Sequence, residues 1–217
     1  MENFTVTEGT PERRYHHGDL RRTLIETALE VMREEQNWQF TLREIARRAG
    51  VSHAAPYKHF PDKAALLTAL AMIGFDQLRI GLIQARSDAG EDPRAALLPM
   101  ARAYVDFGND NPALYRLMFG AEGVNRSDVH LSENAISVFD TVMDVLQRGQ
   151  LDGALRRRPV RDQATACWSL LHGLTMLSID GLLLPEKVGL EPLDAAFRTV
   201  MEGIASSDEN GKMSDVR

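Results

Sequence analysis

Apolar side chains recur at helical spacing along most of this chain, with charged residues between them, which predicts amphipathic helices. The first, about Asp19 to Glu34, carries Leu20, Leu24, Ala28, Val31 and Met32 along one face. Trp38 and Phe40 follow in a short connector, where they cap a small core. Thr41-Leu42-Arg43-Glu44 reads as a capping box that opens a second helix with Leu42, Ile45, Ala46 and Ala49 on one side. Gly50 supplies the left-handed residue at which that helix stops, after about two turns. Val51 anchors the turn, and Ser52 is the expected N-cap of a third short helix, His53 to about Phe60. Pro56 falls in the first turn of that helix, where a missing N–H costs little. Pro61 breaks the run, and Asp62 caps a fourth helix from Lys63 through Leu66, Leu67, Leu70, Ile73 and Leu78 to about Ala85.

Beyond a loop at Ser87–Pro93 only helical patterns follow: Arg94 to Phe107, Pro112 to Phe119, about Leu131 to Leu151, about Val160 to Leu184, and about Pro192 to Ala205. The breaks at Gly108–Asn111, Gly120–Asp128, Gly153–Pro159 and Pro185–Gly189 have loop composition. The expected fold is all-α: an N-terminal three-helix helix-turn-helix domain joined by a connecting helix to a larger helical bundle. The expected partition is a flexible arm at 1–14, the small domain at 15–69, the bundle at 70–206 and a disordered tail at 207–217.

The net charge of −6 over 217 residues argues against a wholly basic nucleic-acid coat, but the charge is unevenly placed. Arg13 to Lys63 holds ten Lys and Arg against seven Asp and Glu, with four of the six histidines, so the acidic excess lies elsewhere. The first third is therefore the part suited to approach an anionic polymer. The single cysteine, Cys167, excludes an internal disulfide and reads as a small hydrophobe; neither a signal peptide nor a membrane span is legible, so a cytoplasmic protein with no membrane partner is expected. No nucleophile elbow, phosphate loop, paired metal histidines or dinucleotide fingerprint occurs, and His16-His17 is adjacent rather than four apart. We therefore expect no enzyme activity, no cofactor and no metal.

Short helix, glycine turn, short helix is the geometry of a DNA-reading motif, whose second short helix lies in the major groove. His53, Ala54 and Ala55 at its start face base edges, His53 by hydrogen bonding and the alanines by shape and thymine-methyl contact. Tyr57, Lys58 and His59 lie further along, while Thr41, Arg43 and Lys63 stand at helix N-termini, where side chains and amides hold phosphates.

The stretch TLREIARRAGVSHAAPYKHFPDKAALLTAL resembles the DNA-binding signature of the tetracycline-repressor (TetR) family, through Thr41, Ile45, Ala46, Ala49, Gly50, Val51, Tyr57, His59, Phe60, Lys63, Leu66 and Leu67. The resemblance implies that Thr41, Tyr57, His59 and Lys63 contact phosphates and that Arg43, His53, Ala54 and Ala55 reach bases. Pro56 departs from the aliphatic residue usual there, which bears on the packing and aim of the recognition helix. NPALYRLMFG and the Trp168, His172, Gly173 series resemble a subgroup with a Trp-His-Gly signature. The resemblance implies a homodimer built largely from the last two long helices; the expected function is a repressor that binds a palindromic double-stranded DNA operator as that dimer and is released by a small apolar effector.

For an effector pocket the candidates are Tyr104, Phe107, Tyr115, Met118, Phe119, Trp168, His172 and Met176, because aromatic and Met side chains with a few polar tips suit apolar ligands. Each has an ordinary core role as its alternative. The rival function is a DNA-binding architectural or interaction protein of the same fold that recruits a protein and has no small-molecule effector.

Overall fold

A computed structural model of the chain describes residues 20–120, 124 and 126–202. The arm, the His16-His17 pair and the C-terminal tail lie outside the described residues. The elements run α1 (Leu20–Glu35), α2 (Leu42–Arg48), a 3-10 turn (Pro56–Lys58), α3 (Lys63–Asp88), α4 (Pro93–Asp110), α5 (Pro112–Phe119), α6 (Arg126–His130), α7 (Glu133–Leu151), α8 (Val160–Ile179), α9 (Pro185–Val188) and α10 (Pro192–Glu202). No strand occurs among the described residues. The fold is all-helical, with an N-terminal helix-turn-helix and a larger helical C-terminal part.

α3 is the axis of both parts. Leu66, Leu67, Leu70, Phe75, Leu78 and Leu82 are buried along it. It packs against α1 at one end and against α4, α5, α6 and α7 further along. One continuous apolar core results, running from Leu24 and Ile45 through α3 to Val145 and Leu171. α3 is long and apolar enough to cross a membrane by length and composition alone, but these buried leucines make it the core helix of the bundle.

Several element ends differ from the sequence expectation, each for a local reason. α8 stops at Ile179, not Leu184, because Asp180 closes it and Gly181 follows at φ 67°. The Leu182 amide then donates to the Leu177 carbonyl at 2.8 Å and the Gly181 amide to Ser178 at 2.9 Å, the Schellman pattern. α9 forms within the expected Pro185–Gly189 loop, with Pro185 at its first position. α6 begins inside the expected Gly120–Asp128 loop, and α7 starts at Glu133 because the Ser132 hydroxyl accepts from the Ala135 amide.

The third helix of the small domain is the main departure. Pro56 follows Ser52 by four residues, so it stands where a helix capped by Ser52 would make its first N–H to carbonyl bond, not one residue earlier. Its ring would also crowd the Ser52 carbonyl. That carbonyl instead accepts from the Ala55 amide at 2.9 Å, and His59 and Phe60 both donate to the Pro56 carbonyl at 2.9 Å. The segment is thus a tight turn followed by one 3-10 turn without a side-chain cap, and Pro56 itself is buried.

A buried polar chain ties α4, α5 and α8 together. The Tyr115 hydroxyl donates to the Tyr104 hydroxyl at 3.0 Å, and His172 Nδ1 lies 2.8 Å from the Tyr115 hydroxyl oxygen. Burial pushes the Tyr115 hydroxyl up to about 12 and Tyr104 well above the ordinary tyrosine value. Burial, and then the neighbouring His130, lower the pKa of His172. His172 is therefore neutral at neutral pH; with the Tyr115 hydroxyl donating to Tyr104, the tautomer that completes the chain carries its proton on Nδ1 and donates to Tyr115.

Two tests follow from this packing. At Gly108, on α4, an added Cβ would meet the Cγ2 of fully buried Thr175, whereas at Gly81, on α3, it would meet nothing within 4 Å. Gly81→Ala should stabilise by about 0.5–1 kcal/mol through helix propensity, whereas Gly108→Ala should lose about 1–3 kcal/mol to overpacking, which outweighs that gain; urea titration reads both. A histidine whose pKa falls below 6.5 on folding binds its proton more readily when unfolded, so its contribution to stability is lost as pH falls through that value. Between about pH 7 and about pH 5, His172→Gln should flatten the pH dependence of stability by up to about one proton. An unchanged slope would mean that His172 protonates freely in the folded protein.

Candidate nucleic-acid interface and internal cavity

α2 begins at Thr41, whose hydroxyl accepts from the Glu44 amide at 3.1 Å, one half of the capping box read from sequence. It ends in a Schellman motif: Gly50 takes φ 70°, the Val51 amide donates to the Ala46 carbonyl at 2.9 Å and the Gly50 amide to Arg47 at 3.2 Å. Val51 turns back onto the core, which fixes the angle at which the chain leaves α2. Arg48 is held by Glu34 and by Glu35, the latter at 2.8 Å, so the C-terminal ends of α1 and α2 are clamped together. The hydrogen bond to Glu34 raises the pKa of Arg48 above its ordinary value.

This frame leaves His53, Ala54, Tyr57, Lys58 and His59 exposed around the tight turn, with Ala55 half-buried. Thr41 and Arg43 are exposed at the start of α2, and Lys63 is half-buried at the start of α3, its Nζ 5.4 Å from the centroid of the Phe40 ring. Burial lowers the pKa of Lys63. Tyr57, half exposed, offers a large ring and a hydroxyl to whatever approaches this face. The nine residues singled out from the sequence therefore lie on α2, the turn and the first residue of α3. Arg47, also exposed on the last turn of α2, was not among them.

Between α3, α6, α7 and α8 lies a cavity of about 800 Å³. Tyr104, Phe119, Trp168 and His172 line it. The other four pocket candidates do not. Tyr115 is fully buried behind His172, Met118 is fully buried beside Gly74 and Leu114, and Phe107 and Met176 pack partly buried against the core. Their helical spacing is that of core residues, the ordinary alternative.

The rest of the wall was not read from sequence. Rings come from Phe75 on α3, His130 on α6 and Phe139 on α7, aliphatic side chains from Leu82 on α3, Ala135, Ile136, Val138 and Val142 on α7, and Ala164 and Leu171 on α8, with Leu131 and Cys167 beside them and Asp140 and Arg161 exposed among the lining residues. Phe75 meets Phe119 edge-on at 5.3 Å, and Phe119 lies 4.7 Å from His172 between ring centroids. Burial pushes the Cys167 thiol up, so it is a weak nucleophile. Among the described residues no group of three or more His, Cys, Asp or Glu is placed to hold a metal.

Residues 24–70 match the family described as bacterial regulatory proteins, tetR family, and residues 97–204 match the tetracyclin repressor-like C-terminal domain. A solved structure of a protein of unknown function from Rhodococcus sp. RHA1 is 34% identical, covers 90% of this chain and 100% of its own, and superposes with a TM-score of 0.76. The uncharacterized HTH-type transcriptional regulator YobS of Bacillus subtilis (strain 168) is 24% identical over 198 residues, 89% of this chain and 96% of its own length. The nucleoid occlusion factor SlmA of Enterobacter sp. (strain 638) is 29% identical over 160 residues, 72% of this chain and 76% of its own. With both parts of the chain matched, each on the half of the fold where its geometry belongs, this protein is a member of the tetracycline-repressor (TetR) family of DNA-binding transcriptional regulators.

Proposed function

We propose that the chain is a cytoplasmic repressor that binds a palindromic operator as a homodimer and is released when a small apolar molecule enters the cavity. The observation that carries this reading is the course of α3. Lys63, beside the DNA-reading turn, and Phe75 and Leu82, in the cavity wall, belong to one continuous helix. From Lys63 to Phe75 is about 18 Å of rigid helix, so an occupant that displaces the wall displaces the small domain with it. An effector lowers operator affinity only by the difference in its affinity for the two arrangements; about 3 kcal/mol gives roughly two orders of magnitude.

In this reading Thr41, Tyr57, His59 and Lys63 hold phosphates, Arg43, His53, Ala54 and Ala55 reach bases, and Lys58 adds positive charge along the backbone. The 3-10 turn imposed by Pro56 makes the base-reading element short, which leaves a large share of affinity to phosphates. The functional division at about residue 70 falls inside α3, in keeping with its role as lever. The C-terminal part, with Trp168 and His172 on the cavity wall, is assigned to the Trp-His-Gly subgroup.

α8 and α10 support the dimer. No described residue of α10 is buried, and Trp168 and Leu177 on α8 and Val200 on α10 are each about two-fifths exposed. Arg102 on α4 holds Asp194 on α10 at 2.9 Å, which ties α10 to the bundle, and α10 packs against α8 as well as α4. A symmetric partner would bury the exposed side chains of α8 and α10 and set two reading elements about 34 Å apart, one turn of duplex.

A second reading, DNA binding with protein recruitment and no small molecule, is favoured by the likeness to nucleoid occlusion factors. A screen of uncharged and charged small hydrophobes separates the two. A compound that raises the melting temperature of the protein and lowers its affinity for the selected operator supports the repressor reading, and a screen with no such compound supports recruitment.

Selection from random duplexes at fixed salt should recover one palindrome. Tyr57→Ala and Lys63→Ala should weaken binding across all sequences, and Lys63→Ala should lower the slope of log affinity against log salt by about 0.9. Enrichment of no duplex would overturn the operator assignment. Leu177→Glu should convert the dimer to a monomer in sedimentation and abolish palindrome binding; a dimer that survives it would exclude α8 from the interface.

A further inference from the structure

The cavity wall also specifies what kind of molecule it takes, on the reading that it is the effector site. Its wall combines rings, from Phe75, Phe119, Phe139 and the partly exposed Trp168 with His130 and His172 between them, and aliphatic side chains such as Leu82, Val142 and Leu171. The lining residues with fixed charge are Arg161 and Asp140, both exposed and of opposite sign. An anion would meet the carboxylate as well as the guanidinium, and a cation would face two imidazoles with no buried carboxylate in the wall. An anion entering the apolar interior would lose hydration that these groups do not replace, and a cation would recover only the part that ring faces supply, with no buried carboxylate to complete it.

The polar contribution of the wall comes from the buried chain. In one direction of the chain His172 spends Nδ1–H on the Tyr115 hydroxyl, which in turn donates to Tyr104. That leaves two groups of the chain for an occupant: His172 Nε2, which accepts, and the Tyr104 hydroxyl, which donates. Tyr104 is almost fully buried, so without an occupant or water its proton has a poor environment. If the chain runs the other way, His172 Nε2–H donates and Tyr104 gives its proton to Tyr115. In both directions the chain offers the occupant hydrogen bonds at neutral groups. A hydroxyl is the smallest group that both donates and accepts, and so it suits either direction.

We propose that this cavity binds an uncharged aromatic molecule bearing a hydroxyl group, a phenol, with its ring against Phe119 and Trp168 and its hydroxyl hydrogen-bonded to His172. Tyr115 is then a positioning residue, which fixes the tautomer and the ring plane of His172. With His172 Nε2 as the acceptor, the site rejects the analogue that lacks the proton, because that acceptor is left unpaired.

Isothermal titration of the intact protein with 4-phenylphenol, 4-methoxybiphenyl, biphenyl-4-carboxylate and biphenyl-4-ylmethylammonium tests this directly. The phenol should bind at least about tenfold more tightly than its methyl ether, and more tightly than either ion. His172→Phe should bring the phenol-to-ether ratio close to one. Tyr115→Phe should reduce that ratio without abolishing binding of the ether. Because the readout is a ratio within one protein, a variant that is merely less stable does not mimic the result. Equal binding of phenol and ether by the unaltered protein, or a preference for either ion, overturns the hydroxyl assignment and leaves the effector reading standing. Failure of all four probes also overturns the assignment, and the effector reading is then decided separately by the small-hydrophobe screen on the DNA complex.

Discussion

Burial of α3 is the constraint on which the rest of the molecule depends. A 26-residue helix with leucines on several faces has no stable place in water, and each of its fully buried leucines contributes about 1.5–3 kcal/mol relative to exposure. α1, α4, α5 and α7 are arranged to cover it, and the apolar core is continuous as a consequence. Close-packed contacts such as Gly74 against Met118 and Leu114 do not deform gradually. In the proposed function such a helix shifts between discrete positions, which lets two distant surfaces report on each other.

The buried polar residues are arranged to limit the cost of being there. Tyr104, Tyr115 and His172 use one another as partners and are neutral at neutral pH, burial moving the tyrosines further up and His172 further down. Neutral groups make such a chain compatible with an aromatic cavity, since a charged member would need a counter-ion that the interior does not provide. The ion pairs that brace the bundle, Arg86 with Asp144 and Arg102 with Asp194, lie toward the surface, where each is worth little on its own. They set how neighbouring helices are aligned more than how stable the fold is.

At the DNA-facing end the architecture depends on backbone geometry. Gly50 and the Val51 anchor fix the exit from α2, and Pro56 then denies the following segment its first helical hydrogen bond. The result is a compact element whose exposed side chains sit close to a well-anchored frame. Arg48, clamped to Glu34 and Glu35, belongs to that frame and is less available to phosphate than the exposed Arg43 and Arg47 beside it.

Local signals in the chain were enough to read most of the helices. Periodic apolar positions, the Thr41 and Asp62 caps, Gly50 and the prolines act within a few residues of themselves, so α1, α2, α3 and α5 could be placed from the sequence to within a few residues. The turn that carries the proposed DNA contacts was legible for the same reason, since a turn is a local event. The 3-10 form of the third element was also local, but it hinged on a one-residue shift in where Pro56 stands relative to Ser52. The cavity is different. Phe75, His130 and Phe139 lie on three helices far apart in sequence, and each on its own helix looks like a core residue. Whether a residue such as Met118 fills the core or one such as Phe119, next to it, faces open space depends on how closely the neighbouring helix approaches. Only the packing of α4, α5 and α7 on α3, and of α8 on α4 and α7, decided that, because cavity shape is a property of distances between helices and not of any one of them.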